Sequence, residues 1–466
     1  MANSKNSNEI DATTQKAARH KHVDLELRSL AGSATKVTKA DLDGRMVVRA
    51  TLDTTDGYLR SEDAWTIAEA VRTAREQLLP FVFVLNVSGV AVDEGIGVAN
   101  AWGRVAHELT KASGVIPLFM VANGPVVSGP SLLLALADVV VFTTDAYAFV
   151  NGPHTVQAFT GEPVTNASLG GASTHSRSTG LATFVTDDVE SAELLLGAVL
   201  GHLPNHVDEQ PPFLPSDDPS DRTTPEAFAL LPATATGAYD VRDLISIVAD
   251  DGEFLELRGH WAPNMVTGFA FFGGFSVGIV ANQTQSLAGS IDIPASQKGA
   301  AFVAFCDAFN VPLLTLVDTS GFLPGKDQEW RGMIRHGAQL AFAYARATVP
   351  RIGLTLRKSY GGAYIVMDSR YMGNDVMLAW PSAEVAVMGA KGAVEILHRR
   401  ASPEARLELE AEYESRFLTP YAAAERGSIS AIIDPSDTRK ELISAIEVLS
   451  TKRERLRPRR HDNSPL

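Results

Sequence analysis

The two halves of this 466-residue sequence repeat one pattern of apolar runs and turn residues. The run "PFVFVLNVSG" from Pro80 matches "PLLTLVDTSG" from Pro312, and each run ends in Ser-Gly eight residues after its proline. Four matched pairs lie 230, 232, 233 and 237 residues apart: Gly44 and Gly274, Pro80 and Pro312, Pro117 and Pro350, Asp138 and Asp375. Slowly rising offsets of this size indicate a duplicated domain rather than a short-period solenoid.

The repeated unit predicts an α/β fold in each half. Buried-strand signals alternate with helical patterns in both halves, which is typical of stacked sheets and helices. The segment "NHVDEQPPFLPSDDPSDRTTPE", residues 205–226, is rich in Pro, Asp and Ser and is expected to separate the halves. We therefore predict domains over residues 24–225 and 226–466, preceded by a disordered polar tail over residues 1–23.

Charge and cysteine content exclude several classes of protein. The formal net charge of -14 argues against nucleic acid as a partner, since such a protein needs a basic field. The longest apolar stretch, "SLLLALADVVVF", is shorter than the roughly 18 residues of a membrane span and contains Asp138. The single cysteine, Cys306, rules out an internal disulfide and predicts a cytoplasmic location.

The stretch "RKSYGGAYIVM", residues 357–367, places two adjacent glycines between two apolar runs. Such a pair predicts a tight strand-to-helix turn where the backbone closely approaches a neighbour. Free N–H groups at a turn of this kind can face a developing oxyanion. The first half carries Ser128-Gly129-Pro130 at the matching place, and Pro130 has no N–H to offer.

Three stretches identify a family resemblance from the "LDGRMVVR" segment onward, over roughly residues 40–460. They are residues 317–370, which contain "VDTSGFLPGKDQEW" and "RKSYGGAYIVMDSR", residues 379–397, "AWPSAEVAVMGAKGAVEIL", and residues 161–180, "GEPVTNASLGGASTHSRSTG". The chain resembles the carboxyltransferase (β) subunit of biotin-dependent acyl-CoA carboxylases. The resemblance implies two tandem crotonase-like domains of the ClpP/crotonase superfamily, arising from the internal duplication.

The resemblance also implies an activity and partners. The family moves a carboxyl group from carboxybiotin to the α-carbon of an acyl-CoA, and negative charge develops on both the biotin urea oxygen and the thioester oxygen. Each half supplies one oxyanion site, and the active site lies between two subunits of a homo-oligomer, typically a hexamer. The chain has no biotin-carrier motif of the Ala-Met-Lys-Met type, so biotin is expected on a separate carrier or biotin carboxylase subunit. No metal is expected.

Carried over position by position, the resemblance implies an oxyanion site for biotin at Gly361, Gly362 and Ala363. The matching site for the acyl-CoA thioester falls on Ser128 and Gly129. Further residues are expected at the substrates: Ile365 at the position that tunes acyl-chain choice, with Tyr364 also binding substrate, Gly321, Phe322 and Leu323 in the carboxybiotin channel, and Asn151, Gly152, Pro153 and Lys391 near CoA.

The first half departs from the family pattern at its turn. The family has Ser-Gly-Gly-Ala-Arg where this chain has "SGVAV", residues 88–92, and it has Gly-Gly where this chain has Ser128-Gly129. These changes keep three functions open. The chain is an acyl-CoA carboxyltransferase with an altered acyl site, a different CoA-ester enzyme such as a decarboxylase, or a non-catalytic paralogue that assembles with an active β subunit.

Overall fold

The computed structural model describes residues 25–465, except residues 28, 55, 56, 235, 453, 459, 460 and 462. The predicted disordered tail over residues 1–23 lies outside the described residues. The strands are β1 (Leu25–Glu26), β2 (Lys36–Leu42), β3 (Arg45–Asp53), β4 (Tyr58–Leu59), β5 (Phe81–Val87), β6 (Gly89–Val90), β7 (Leu118–Val127), β8 (Val139–Thr143), β9 (Tyr147–Phe149), β10 (Phe184–Thr186), β11 (Leu255–Leu257), β12 (Met265–Phe272), β13 (Phe275–Asn282), β14 (Leu313–Thr319), β15 (Arg351–Tyr360), β16 (Val376–Ala379), β17 (Glu384–Ala386) and β18 (Ala431–Ile432).

Helices connect these strands in both halves. They are α1 (Ser61–Glu76), α2 (Ile96–Ala112), α3 (Ser131–Leu134), α4 (Pro153–Thr160), α5 (Asn166–Gly170), α6 (Ala172–Thr174), α7 (Val189–Leu200), α8 (Glu226–Ala229), α9 (Val241–Val248), α10 (Ile293–Ala308), α11 (Lys326–Trp330), α12 (Met333–Arg346), α13 (Gly361–Val366), α14 (Ala390–Leu397), α15 (Pro403–Tyr413), α16 (Pro420–Glu425) and α17 (Thr438–Leu449). Among the described residues, none of these helices has the length and apolarity needed to cross a membrane.

The two large sheets have the same topology. The first has the order β1-β2-β3-β5-β7-β8-β10 with β9 paired to β7, and the second has β11-β12-β13-β14-β15-β16-β18 with β17 paired to β15. In each, an antiparallel hairpin leads into a run of parallel strands. The register is interrupted at the same place in both, between Leu85 and Val87 and between Val317 and Thr319. The duplication and the α/β fold predicted from the sequence are confirmed, whereas the boundary at residues 225–226 stays a prediction.

The repeat extends to single hydrogen bonds. Asp138, just before β8, accepts a hydrogen bond from the N–H of Leu118 at 2.8 Å. Asp375, just before β16, accepts one from the N–H of Arg351 at the same distance. Each aspartate thus pairs the first N–H of the neighbouring central strand, which would otherwise lack a partner in the sheet.

One apolar core is shared by both halves. From the first half it contains Phe119 of β7 and Leu196 of α7, and from the second half Met265 of β12 and Phe302 of α10. Cys306 is fully buried in the same core, and burial raises the pKa of its thiol well above the ordinary value. This core fixes the two sheets against each other and leaves the loops after β7 and β15 at the ends of their parallel strands.

Candidate functional site

The second-half turn, residues 361–363, joins β15 directly to α13. Gly361 has φ +60, a left-handed conformation that favours glycine, and a Cβ added there would lie 3.1 Å from the carbonyl oxygen of Val387. A Cβ added to Gly362 would lie 3.1 Å from the ring of Phe322. A side chain at either position would therefore crowd a neighbour, and at Gly361 it would also strain the backbone. Because Gly362 and Ala363 begin a helix, their N–H groups have no acceptor within it.

The loop over residues 321–325 packs against this turn through Phe322. Two hydrogen bonds hold the loop: the Ile291 N–H donates to Gly321 at 3.0 Å, and the Leu323 N–H donates to the carbonyl of Ile291 at 2.9 Å. The ring of Phe322 also lies 3.1 Å from where a Cβ on Gly337 of α12 would sit. Phe322 of this loop thus packs against Gly362, and a channel lined by Gly321, Phe322 and Leu323 stays a prediction.

A buried ion pair supports the end of β15. Arg357 donates to Asp318 at 3.0 Å, and the same carboxylate accepts the N–H of Lys358 at 3.2 Å. Burial raises the pKa of Asp318 above its ordinary value, while the neighbouring Arg357 guanidinium opposes that rise. This pair explains why an apolar strand runs into charged residues just before the turn: the arginine ties β15 to β14 at the site.

The helix after β17 approaches the same turn. Gly389 precedes α14 and a Cβ on it would lie 3.6 Å from the ring of Tyr360, whose hydroxyl contacts Glu384. Burial and the Glu384 carboxylate raise the pKa of Tyr360 well above its ordinary value, so this hydroxyl stays protonated. Lys391, at the second position of α14, is exposed, and its contact with CoA stays a prediction.

The two residues after the turn differ in exposure. The side chain of Ile365 is 41% exposed, which leaves it free to meet a substrate. Tyr364 packs against the small apolar cluster around Met377 and Ala423. Its buried hydroxyl has no hydrogen-bond partner among the residues that the structure describes. Ile365 is therefore the more accessible of these two predicted substrate-binding residues.

The first-half turn, residues 128–130, has the shape of the second-half turn. Ser128 has φ +67, matching Gly361, and its N–H donates to the carbonyl of Phe149 at 3.0 Å. The N–H of Ser131 donates to the carbonyl of Ser128 at 3.0 Å. Gly129 lies against the indole of Trp102, since a Cβ on Gly129 would come within 2.9 Å of that ring.

The segment predicted to lie beside CoA follows β9. Asn151 is exposed, and Gly152 precedes Pro153, the first residue of α4, in an extended conformation. The Ser128–Phe149 hydrogen bond brings this segment next to the first-half turn. Nearby, both ring nitrogens of His175 are engaged, with Thr179 and with the Ala148 carbonyl, each at 2.9 Å. His175 therefore holds this loop through both of its ring nitrogens.

The predicted site residues fall into two separate groups. One surrounds the first-half turn and the other surrounds the second-half turn, and hydrogen bonds among the described residues stay within each group. Groups of three or more His, Cys, Asp or Glu side chains suited to a metal ion are absent from the described residues. Sequence reasoning missed Trp102 and the Asp318–Arg357 pair. The only available signal for the pair was the Asp that ends the apolar run "PLLTLVD".

Comparison with known proteins places this geometry in context. A model of the carboxyl transferase domain family matches residues 15–464. The methylmalonyl-CoA carboxyltransferase 12S subunit of Propionibacterium freudenreichii subsp. shermanii is 43% identical over 407 residues, or 85% of this chain and 77% of that protein. The propionyl-CoA carboxylase carboxyltransferase subunit of Haloferax mediterranei is 41% identical over 452 residues, or 95% of this chain and 87% of that protein.

Two further comparisons bear on function and assembly. The methylmalonyl-CoA decarboxylase subunit alpha of Veillonella parvula is 38% identical over 444 residues, covering 95% of this chain and 87% of that protein. A transcarboxylase 12S crystal structure, whose authors report a hexamer with hydrolysed methylmalonyl-coenzyme A bound, matches with a TM-score of 0.93 at 38% identity. That match covers 96% of this chain and 90% of the other.

Proposed function

Because the chain belongs to the carboxyl transferase domain family, we infer that it is an acyl-CoA carboxyltransferase. It moves a carboxyl group between carboxybiotin and the α-carbon of a short- or medium-chain acyl-CoA. The observation that carries this inference is the second-half turn, where two glycines leave space that any Cβ would fill against Phe322 and Val387.

The residues at the second-half turn fit a biotin ring. The space above Gly362 is bounded by an aromatic ring, and the adjoining backbone can donate from Gly362 and Ala363 to an oxygen that gains negative charge. Carboxybiotin, carried on a separate subunit, supplies the carboxyl group when bound. Phe322 and Leu323 then orient the ring, and the buried Asp318–Arg357 pair keeps the strand beneath the turn in place.

The acyl-CoA belongs at the first-half turn in this proposal. Negative charge develops on the thioester oxygen when the α-carbon gains or loses its carboxyl group, so an N–H donor there lowers the barrier. Gly129 offers such a donor, and Asn151, Gly152 and Pro153 lie beside it to meet CoA. Ile365 contributes an exposed apolar surface for the acyl chain.

We extend the proposal to assembly. The two groups of site residues are separate within one chain, so a complete site needs a second copy that brings a first-half turn to a second-half turn. The similar transcarboxylase 12S is a hexamer, and we propose the same state here, with domains over residues 24–225 and 226–466. The partners are a biotin carrier and a biotin carboxylase subunit, and the location is cytoplasmic.

A turnover assay on the purified chain tests the function. The chain is incubated with malonyl- or methylmalonyl-CoA and free biotin, and carboxybiotin and CO₂ are measured separately. We expect carboxyl transfer that depends on biotin. Release of CO₂ without biotin dependence would instead assign a decarboxylase, the activity in the name of the similar Veillonella protein. Failure to bind any CoA ester would assign a non-catalytic paralogue.

A further inference from the structure

The first-half turn lacks a backbone donor that its counterpart has. Pro130, the residue matched to Ala363, has no N–H. The N–H of Ser128 is already bonded to Phe149, and that of Ser131 is bonded to Ser128. Gly129 is left as the one residue of this turn whose N–H can face a substrate. An oxyanion site normally presents two donors, so the turn alone is incomplete.

An aromatic side chain lies against each turn, and only one of the two rings carries an N–H donor. Phe322 covers Gly362 with an all-carbon ring. Trp102 of α2 covers Gly129, and its Nε1 lies 3.0 Å from the point where a Cβ on Gly129 would sit. In the second half, Ala363 keeps its backbone N–H and the covering ring of Phe322 has none. In the first half, Pro130 has no backbone N–H and the covering ring of Trp102 carries one.

The indole N–H of Trp102 is available for a substrate. In the portion of the chain that the structure describes, nothing accepts a hydrogen bond from it. Its ring is half-buried and packs against the first-half core, which fixes its position. Because a tryptophan N–H can only donate, and this one lies beside the turn on a half-buried ring, it is free to bond an acceptor that arrives with the substrate.

We propose that the indole N–H of Trp102 replaces the missing backbone donor at Pro130 and, together with the N–H of Gly129, binds the thioester oxygen of the acyl-CoA. The inference rests on the proposed carboxyltransferase function. Trp102 only donates a hydrogen bond: it forms no covalent bond with the substrate and transfers no electrons. It stabilises the negative charge that the thioester oxygen gains when a bond at the α-carbon breaks, either to the departing carboxyl group or to the proton that the carboxyl group replaces. The electron pair of that bond moves toward the oxygen. Trp102 is therefore a catalytic residue of this chain.

The test substitutes Trp102→Phe, which keeps an aromatic ring and removes the N–H. Removal of one oxyanion donor is expected to lower kcat by about 100-fold and to leave KM for the acyl-CoA within about threefold. Trp65→Phe is the matched control. Trp65 lies on α1, stacks on Arg104 at 3.9 Å and is 40% exposed. We expect Trp65→Phe to have the same kcat as the wild type.

A rescue separates the loss of a donor from a disturbed fold. Pro130→Ala restores a backbone N–H at the turn, so adding it to Trp102→Phe is expected to raise kcat at least tenfold. If Trp102 has a purely structural role, adding Pro130→Ala restores no activity. In that case Trp102→Phe raises KM by about the same factor by which it lowers kcat. Unchanged kcat in Trp102→Phe, with the wild type active, would overturn the proposal.

A binding measurement keeps the proposal testable apart from turnover. The probe is a CoA thioether carrying a nitronate group, which places negative charge where the thioester oxygen would acquire it. Trp102→Phe is expected to weaken this probe at least tenfold while binding of the uncharged acyl-CoA changes less than threefold. If the wild type and Trp102→Phe bind the nitronate probe with equal affinity, the role of Trp102 is refuted. A wild-type chain that binds neither CoA compound would refute the proposed function itself.

Discussion

Space rather than charge decides the residue at position 362. The ring of Phe322 occupies the region that a side chain would need, with 3.1 Å between Cε2 and the expected Cβ. Contacts this short force either the ring or the backbone to move, and overpacking of this kind typically costs about 1–3 kcal/mol. Moving Phe322 would also disturb Gly337, against which the same ring packs. The turn and its loop thus form one rigid surface.

We expect Gly362→Val to abolish carboxyl transfer, with kcat lowered by at least about 100-fold, because the side chain blocks the approach of the substrate to the backbone donors. Steady-state kinetics with methylmalonyl-CoA and biotin checks this. Gly103→Ala is the control, since a Cβ on this α2 glycine meets nothing within 4 Å. It should keep full activity and stabilise the fold by about 0.5–1 kcal/mol. Undiminished turnover in Gly362→Val would remove Gly362 from the site.

At the scale of elements, α17 is tied to the second sheet by a buried arginine. Arg439 is fully buried and donates to Asp250 at 2.6 Å and to the carbonyl of Val248 at 2.8 Å. The Asp250 carboxylate also accepts the N–H groups of Gly273 and Gly274 in the β12–β13 turn, at 2.9 and 2.8 Å. The Arg439–Asp250 contact therefore joins α17, a hairpin turn and the segment that follows α9.

Arg439→Met should destabilise the protein by about 3–5 kcal/mol, because it leaves the Asp250 carboxylate buried without its positive partner. Urea or thermal unfolding measures the loss. Lys440→Met is the matched control: the neighbouring side chain on the same helix is exposed, and surface changes of this kind stay within about 0.5 kcal/mol. Similar unfolding midpoints for the two variants would show that the ionic contact contributes nothing.

The sequence predicted the repeated strands because buried parallel strands appear as continuous apolar runs. It also predicted the turn glycines, whose conformation is a local property. It could not predict that Trp102 covers Gly129, since that contact joins a helix to a turn 27 residues further along the chain. The Asp318–Arg357 pair spans 39 residues and was missed for the same reason. Side-chain pairs between elements depend on packing that no local pattern encodes.

At the scale of the whole molecule, His202 marks the contact between the two halves. It follows α7, and its ring stacks on Phe269 and Phe271 of β12, with centroids 5.3 and 4.4 Å apart. Its Nδ1 lies 3.2 Å from the hydroxyl of Ser276 in β13. Burial lowers the pKa of His202 from 6.5 to about 4. The folded protein therefore binds the proton more weakly than the unfolded chain does.

Stability should fall on acidification because of this residue. Above pH 6.5 the imidazole is neutral in both states, and between pH 6.5 and about 4 only the unfolded chain takes up the proton. The loss amounts to about 3 kcal/mol from this group alone. His202→Phe keeps a ring in the stack, so its free energy of unfolding should depend less on pH over that range. His107→Phe, exposed on α2, should retain the wild-type dependence. Identical pH profiles for all three proteins would exclude His202 as the cause.

An exposed apolar pair next to the second-half turn concerns assembly. Trp330 of α11 and Ile334 of α12 are 78% and 83% exposed, and both helices follow the loop that carries Phe322. Contiguous exposed apolar patches mark contacts between proteins, and we propose that these two side chains belong to one. Burial of this surface by a second copy would place the partner beside the second-half turn, which a site formed between subunits requires.

Ile334→Asp should therefore lower both the oligomer mass and the turnover, because a charge at a buried contact costs several kcal/mol and, in the proposed assembly, an isolated subunit holds only half of each site. Light scattering coupled to size-exclusion chromatography gives the mass, and the methylmalonyl-CoA assay gives the rate. Val448→Asp supplies the control, since Val448 on α17 is 75% exposed and equally apolar. It should leave mass and rate unchanged. A hexamer of Ile334→Asp with full activity would show that α12 faces solvent in the assembly, and the subunit contact would then have to lie on another surface.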